Sequence, residues 1–450
     1  MSLPEVIPST PVPESPPSLV SASPPSPAPV TERWGLATRL AFRWAFIYLG
    51  LYNLMALVAH VPGGFDIIDH YNGLWEVFVL WVDAHFLGLG LTEFPLLSGD
   101  GLFNYVMALL QAVIAMGGML VWSVADRRRG AYPRLHSGLR VHVRYVLITA
   151  MTSYGLAKIF KTQFLFPELE KLMMPLAEAS PMGLVWRFMG YSTGYNLFTG
   201  GAELLGAVLL CFRRTTTLGA LVVVGVMSNV VALNFFYDIP VKLYSSHLLL
   251  MAGFLLLPDL RRLADFLVFN RATSPVVLRT PFQAPWMAWG SRAVKVLFLG
   301  WCTYSMATEE LELARTRGEL KPWSELAGIY KVESFAWDGQ EVPPLTTDTS
   351  RWKRVVFNRR HGAQLQLMDD TLKLYNVNLR PEEQSLTLSY RGGAEVPMIL
   401  DYSRLDDGTL VLEGDFGDRS LRVLLTRVDT SKLLLQDRGF NWVTESPLNR

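Results

Sequence analysis

Leu218-Gly219-Ala220-Leu221-Val222-Val223-Val224-Gly225-Val226-Met227 continues through Ser228-Asn229-Val230-Val231-Ala232-Leu233-Asn234-Phe235-Phe236-Tyr237 without one charged residue. At 1.5 Å of helical rise per residue, this stretch spans about 30 Å, the thickness of a bilayer's hydrocarbon layer. It therefore reads as a membrane-crossing helix. Comparable stretches run from about Arg39 to Val61, Leu102 to Ala125, Val141 to Phe160, Tyr195 to Phe212, Val241 to Leu257 and Met287 to Ala307. The sequence predicts seven spans, hence a polytopic α-helical membrane domain over residues 33–307.

Composition divides the chain the same way. Of 450 residues, 50% are hydrophobic and 18% charged. Residues 308–450 carry 42 of the 81 charges, and the preceding 307 carry the other 39. A formal net charge of +1 with no long basic run argues against a nucleic-acid partner. Cys211 and Cys302 are the only cysteines, too few for a disulfide scaffold, and their expected depths differ. Residues 1–31 contain ten prolines and no Lys or Arg, so residues 1–32 read as a disordered cytoplasmic tail. That stretch also lacks the basic start and apolar core of a signal peptide.

Basic residues set the expected orientation. Arg127, Arg128, Arg129, Arg134, Arg140 and Arg144 follow the second span, Arg213 and Arg214 the fourth, and Arg261, Arg262, Arg271 and Arg279 the sixth. Residues 61–100 have neither Lys nor Arg. The positive-inside rule then places the N-terminus in the cytoplasm and the C-terminal domain outside a cell (inner) membrane.

The last part of the chain changes period. Ser385-Leu386-Thr387-Leu388-Ser389-Tyr390 and Gln364-Leu365-Gln366-Leu367 alternate strictly, and Thr409 to Glu413 and Leu421 to Leu425 repeat the habit. Asp338-Gly339, Gly392-Gly393, Asp407-Gly408 and Glu413-Gly414 read as turns between them. About eight antiparallel strands fit residues 320–450, an extracytoplasmic all-β domain built as a small barrel or sandwich. Gly328-Ile329-Tyr330 resembles the Gly-x-Trp opening of lipocalins. The only histidine of this domain is His361, and no nucleophile or metal constellation is visible there.

Ionisable side chains at bilayer depth are costly and therefore informative. Lys158 near the outer end of the third span and Glu203 in the outer half of the fourth fall at similar depths, so an ion pair is geometrically available. Gly200, Gly201 and Gly206 would let the neighbouring helix approach. Lys161 and Lys158 have the simpler reading of lysines snorkelling to the interface. Asn234 and Asp238 share a helix face, and with Lys242 and His247 they suggest a polar floor for an outward-facing pocket; interhelical hydrogen bonds and a capped hairpin account for them equally. Gly73 to Phe86 reads as a helix lying in the outer interface. His60, His70 and His85 map to the same rim, with no spacing that matches a metal or haem motif.

Tyr154-Gly155-Leu156-Ala157-Lys158 resembles the Gly-x-x-Lys segment of DoxX-like membrane proteins, and Gly201, Glu203 and Gly206 resemble that family's Gly-x-x-Glu-x-x-Gly helix. Arg214-Thr215 before Leu218-Gly219-Ala220-Leu221 is similar to its basic turn. The resemblance covers about residues 140–260. It implies a quinone theme, and a comparable lysine in vitamin K-dependent carboxylase deprotonates a hydroquinone, which would make Lys158 a base. The extra spans, the long outer loops and the β-domain depart from the family pattern.

Two functions follow as expectations. In the first, the chain is a subunit of a quinone-linked oxidoreductase. Lys158 and Glu203 are catalytic, and His247, Asn234, Asp238, Trp186 and Tyr191, with Phe188, surround the ring. No haem, flavin, nucleotide or iron–sulfur motif is present, so electrons would come from a soluble redox partner subunit. In the second, the helices anchor a lipocalin-like domain that binds a lipophilic ligand or a partner protein. A transporter or a soluble-type hydrolase lacks the repeats and motifs it would need.

Overall fold

The computed structural model describes residues 33–92, 99–273, 284–359, 362–393 and 396–449. The tail 1–32, Arg279 and His361 lie outside the described residues. The helical part comprises α1 (Leu36–Tyr52), α2 (Gly64–Val82), α3 (Leu102–Ala125), α4 (Pro133–Ile159), α5 (Leu169–Met173) and α6 (Pro181–Tyr191). It continues with α7 (Thr193–Cys211), α8 (Thr216–Phe236), α9 (Lys242–Leu256), α10 (Leu260–Leu267) and α11 (Pro285–Thr316).

Among the described residues, three helical runs are long and apolar enough to cross a membrane: Leu102–Ala125, Thr216–Phe236 and the continuous run Lys242–Leu267 formed by α9 and α10. The other four of the seven expected spans are helical but fall short of that standard. Helix α1 has 17 residues. Helix α4 contains Arg134, Arg140, Arg144 and Lys158, α7 is diluted by Asn196, Glu203 and its glycines, and α11 contains Arg292, Lys295 and an acidic end at Glu309, Glu310 and Glu312. The interfacial segment is longer and starts earlier than its pattern indicates, because Gly63 in the left-handed region (φ 74°) starts α2 at Gly64.

Helix α4 is the axis of the bundle. Val143, Leu147 and Met151 are fully buried against Leu210 of α7, Met227 of α8 and Leu248 and Met251 of α9. The apolar face of α3 looks outward instead, with Leu109, Val113, Leu120, Val121 and Val124 all exposed. An exposed apolar face of that extent is the mark of a lipid-facing helix. On the basic side, Arg43 is 3% exposed and donates to the Tyr132 hydroxyl, Ser123 Oγ and the Asp126 carbonyl, locking α1 to the turn after α3.

The strands are β1 (Gly328–Trp337), β2 (Gln340–Glu341), β3 (Trp352–Phe357), β4 (Gly362–Leu367), β5 (Leu372–Arg380), β6 (Ser385–Tyr390), β7 (Met398–Arg404), β8 (Leu410–Phe416) and β9 (Arg419–Arg427). β1 pairs antiparallel with β3, each strand from β3 to β8 pairs antiparallel with the next, and β1 also pairs β9, so eight long strands close an up-and-down barrel with β2 as a short flap on β1. Asp338 and Gly339, both at positive φ, form the tight turn between β1 and β2. Glu413-Gly414 is not a turn. Gly414 sits inside β8 opposite Leu400, where a Cβ would come within 2.2 Å of the Ile399 carbonyl; the reversal follows at Gly417, φ 63°. The inward side chains Tyr330, Phe335, Val355, Leu388, Leu400, Leu412 and Val423 form the hydrophobic core of the barrel.

The barrel is docked on the helical part through α5. Leu169 packs against Ile329 and Val356 on the barrel's outer face, and all three are almost fully buried. Asn358 Nδ2 donates to Glu170 Oε2 at 2.7 Å, and its Oδ1 accepts from the Glu170 backbone N–H at 3.1 Å.

Candidate functional site

Lys158 and Glu203 meet. Lys158 Nζ donates to Glu203 Oε1 at 2.8 Å and Oε2 at 2.9 Å, and the two residues are 6% and 1% exposed. Their helices can approach because glycine faces glycine. A Cβ on Gly200 would lie 2.7 Å from the Gly155 carbonyl, and one on Gly155 would lie 2.9 Å from the Gly200 carbonyl. Gly206 serves the other side of α7, against Val223 of α8. Gly201 faces open space and plays no part in the approach.

The chemistry of the pair follows from its surroundings. A lone charge at this depth would be severely destabilised, and mutual neutralisation through two short hydrogen bonds is what permits both to be there. Ammonium and carboxylate in direct contact can also exchange a proton without solvent. The Tyr154 ring lies 5.4 Å and the Phe164 ring 5.9 Å from Nζ, so aromatic faces surround the cation. Phe164 in turn packs edge-on against Trp186 at 5.1 Å. Lys161 is also buried and paired. It is 5% exposed, pairs with Glu319 at 2.7 Å and donates to Thr193 Oγ1 at 3.1 Å, while Thr162 bonds Glu310. The carboxylates at the end of α11 thus clamp the loop that follows Lys158.

The remaining expected residues separate into three groups. Trp186 reaches the pair only through Phe164, whereas Phe188 is exposed and stacks edge-on with Tyr195, and Tyr191 donates to the Arg438 carbonyl. Asn234 is structural, tying the α8–α9 hairpin through Ser245 Oγ at 2.9 Å and the Val241 carbonyl. Asp238 points to solvent and pairs with Lys242 at 2.9 Å, and the Lys242 and Leu243 N–H groups are capped by Asp100.

His247 joins a group that spacing alone did not suggest. Its Nδ1 faces the Leu243 carbonyl at 2.7 Å, which makes Nδ1 the protonated nitrogen, and Nε2 then accepts from the Tyr48 hydroxyl at 2.6 Å. Tyr52 stacks on the imidazole at 3.9 Å. On the same helix as His247, Tyr244 packs edge-on against Tyr154, the ring beside Lys158. Tyr48, Tyr52, His247, Tyr244 and Tyr154 therefore form an aromatic track leading toward the ion pair. Tyr48 and Tyr52 lie about 200 residues from His247, a separation across which helical periodicity carries no information. The rim histidines make local contacts, His70 with the Asp66 carbonyl and His85 with the Trp81 carbonyl.

Over 111 residues, the chain is 40% identical to "Uncharacterized protein YwoB" of Bacillus subtilis (strain 168), an alignment that spans 24% of this chain and 69% of that protein. The chain belongs to the YwoB family. No family model and no solved structure matches it. The YwoB description assigns no activity, so function rests on the chemistry of this chain.

Proposed function

We propose that the helical part is embedded in the membrane and that Lys158 and Glu203 form a buried proton-exchanging site serving a quinone-type ring, within a subunit of a quinone-linked oxidoreductase. The observation that carries this is the doubly hydrogen-bonded, almost fully buried pair on two close-packed helices. In this reading α1, α4, α7 and α11 cross beside the three longer spans, the N-terminus is cytoplasmic, and the barrel is extracytoplasmic. The burial of Arg43 of α1 and of the Lys158–Glu203 pair between α4 and α7 supports that arrangement.

The residues suit such a ring. Lys158 gives two of its three N–H donors to Glu203, leaving one beside the faces of Tyr154 and Phe164, a setting matched to a flat ring bearing a carbonyl. A quinone bound there would supply a reversible two-electron, two-proton couple. Lys158 would orient the ring through that donor, and Glu203 would hold or return a proton at Oε1 or Oε2. The aromatic track from Tyr154 to His247 offers hydroxyl and imidazole groups for moving protons away from the pair. The DoxX-like segments over residues 140–260 support the same theme. Electrons would come from a soluble partner subunit. The barrel's contact with α5 favours a role as a body docked over the outer end of α4.

Solvent extraction of the purified full chain followed by mass spectrometry tests the proposal. Near-stoichiometric quinone that is lost in Lys158→Ala is expected, and quinone content unchanged by that substitution overturns the mechanism.

A further inference from the structure

A second site stands apart from the ion pair. Arg144 precedes Lys158 by 14 residues on α4, which at 1.5 Å per residue places it about 21 Å away along the helix. There a cavity of about 830 Å³ opens between the first half of α4, the α7–α8 turn and α10. Among the described residues, Arg140, Arg144, Arg213, Arg214 and Arg262 line it, against one acidic residue, Asp259.

Asp259 alone does not neutralise Arg140, Arg144 and Arg262. Asp259 already accepts from Thr217 Oγ1 at 2.8 Å and Arg262 Nη1 at 3.1 Å, with Arg140 Nη2 at 4.0 Å. Arg140 donates to the Leu255 carbonyl, and Arg144 makes a long bond of 3.4 Å to Thr216 Oγ1 and lies 5.7 Å from the Tyr145 ring. Arg144 Nε and Arg262 Nε are buried without a hydrogen-bond partner. Clustered guanidinium groups with unfilled donors favour an oxyanion, because each extra donor to a phosphate is charge-assisted and the fork geometry fits. The N-terminus of α8 opens on the same cavity through Thr216 and Thr217, adding the positive end of a 21-residue helix.

The other wall identifies what carries the phosphate. Leu218, Phe266 and Leu267 line the cavity and are 52%, 63% and 65% exposed. Apolar side chains left open beside an arginine cluster at the end of a membrane bundle match acyl chains below an anionic headgroup. We propose that this cavity binds a phosphate group, presented by an anionic phospholipid whose headgroup sits among the arginines while its chains lie along Leu218, Phe266 and Leu267.

Native mass spectrometry of the full chain, released from nanodiscs of phosphatidylglycerol or of phosphatidylcholine, tests this. Retention of phosphatidylglycerol over phosphatidylcholine is expected. It should fall about 30-fold in Arg213→Gln/Arg214→Gln, corresponding to about 1 kcal/mol per arginine at 1.4 kcal/mol per tenfold. Both residues sit on an exposed turn, so this variant keeps the fold; Arg144→Gln is the buried companion, read only if its melting temperature is retained. Displacement of the lipid by inorganic phosphate, dependent on the same arginines, would assign the site to soluble phosphate and overturn the lipid as carrier. A phosphatidylglycerol preference unchanged in the turn variant overturns the site altogether.

Discussion

Adding one methyl group to α7 tests the helix approach that creates the ion pair. In Gly200→Ala the new Cβ falls 2.7 Å from the Gly155 carbonyl and 3.0 Å from Lys158 Cβ, so α4 and α7 must separate by about 0.7 Å to restore an ordinary 3.4 Å contact. Overpacking of this kind costs about 1–3 kcal/mol. The better helix propensity of alanine returns about 1 kcal/mol. Gly201→Ala is the control one residue away. It gains the same propensity, meets nothing within 4 Å, and should be neutral or stabilised by about 1 kcal/mol. The two variants should therefore differ by about 1–3 kcal/mol, with Gly200→Ala the less stable. Thermal unfolding of detergent-purified protein, followed by fluorescence-detected size exclusion, reads the difference. Equal melting temperatures for the two variants would refute the claim that Gly200 sets the α4–α7 distance.

Two further outcomes concern the barrel and its docking. Asn358→Ala removes two hydrogen bonds to Glu170, one of them to its carboxylate, for a loss of about 2–4.5 kcal/mol. Hydrogen exchange should rise in α5 while β6 and β7 stay protected; unchanged exchange in α5 contradicts the docking account. Acid should weaken the barrel through its turns. Asp348 accepts from Ser350 N, Ser350 Oγ and Arg351 N, Asp338 from Arg419 and Ser420 N, and Asp407 from Thr409 N, and these bonds hold all three carboxyls below the usual aspartate range. Because the folded values are depressed, their contribution is complete above the unfolded value of about 3.9 and is lost as pH falls through the folded values. The barrel's near-UV circular dichroism melting temperature should drop below about pH 4; a flat profile to pH 3 contradicts it.

Much of the architecture was legible because periodicity is local. The alternation of Ser385 to Tyr390 gave a strand, and the uncharged run from Leu218 gave a helix of membrane length. The Lys158–Glu203 pair was legible from depth counting alone. The span count was not, because helices such as α4 and α7 carry ionisable residues on faces that only the tertiary packing covers. Glu413-Gly414 misled as a turn because the same glycine that permits a reversal also permits the close approach of β7. The spacing of Asn234 and Asp238 suggests one helix face, yet α8 ends at Phe236 and Asp238 lies beyond it at φ 50°, so one ties the hairpin and the other faces solvent. The arginine cavity and the Tyr48–Tyr52–His247 stack depend on elements brought together from distant parts of the chain.

The central claim is that Lys158 and Glu203 serve a bound ring and do more than join two helices. Replacing a buried ion pair with apolar residues of similar size is often neutral for stability, whereas removing one partner costs about 3–5 kcal/mol. Lys158→Met/Glu203→Leu therefore separates the two roles. The deciding measurement is quinone per chain, by solvent extraction and mass spectrometry, in this double variant beside the native protein at matched melting temperature. A folded double variant stripped of quinone is the predicted result; a folded double variant that keeps it would contradict the account.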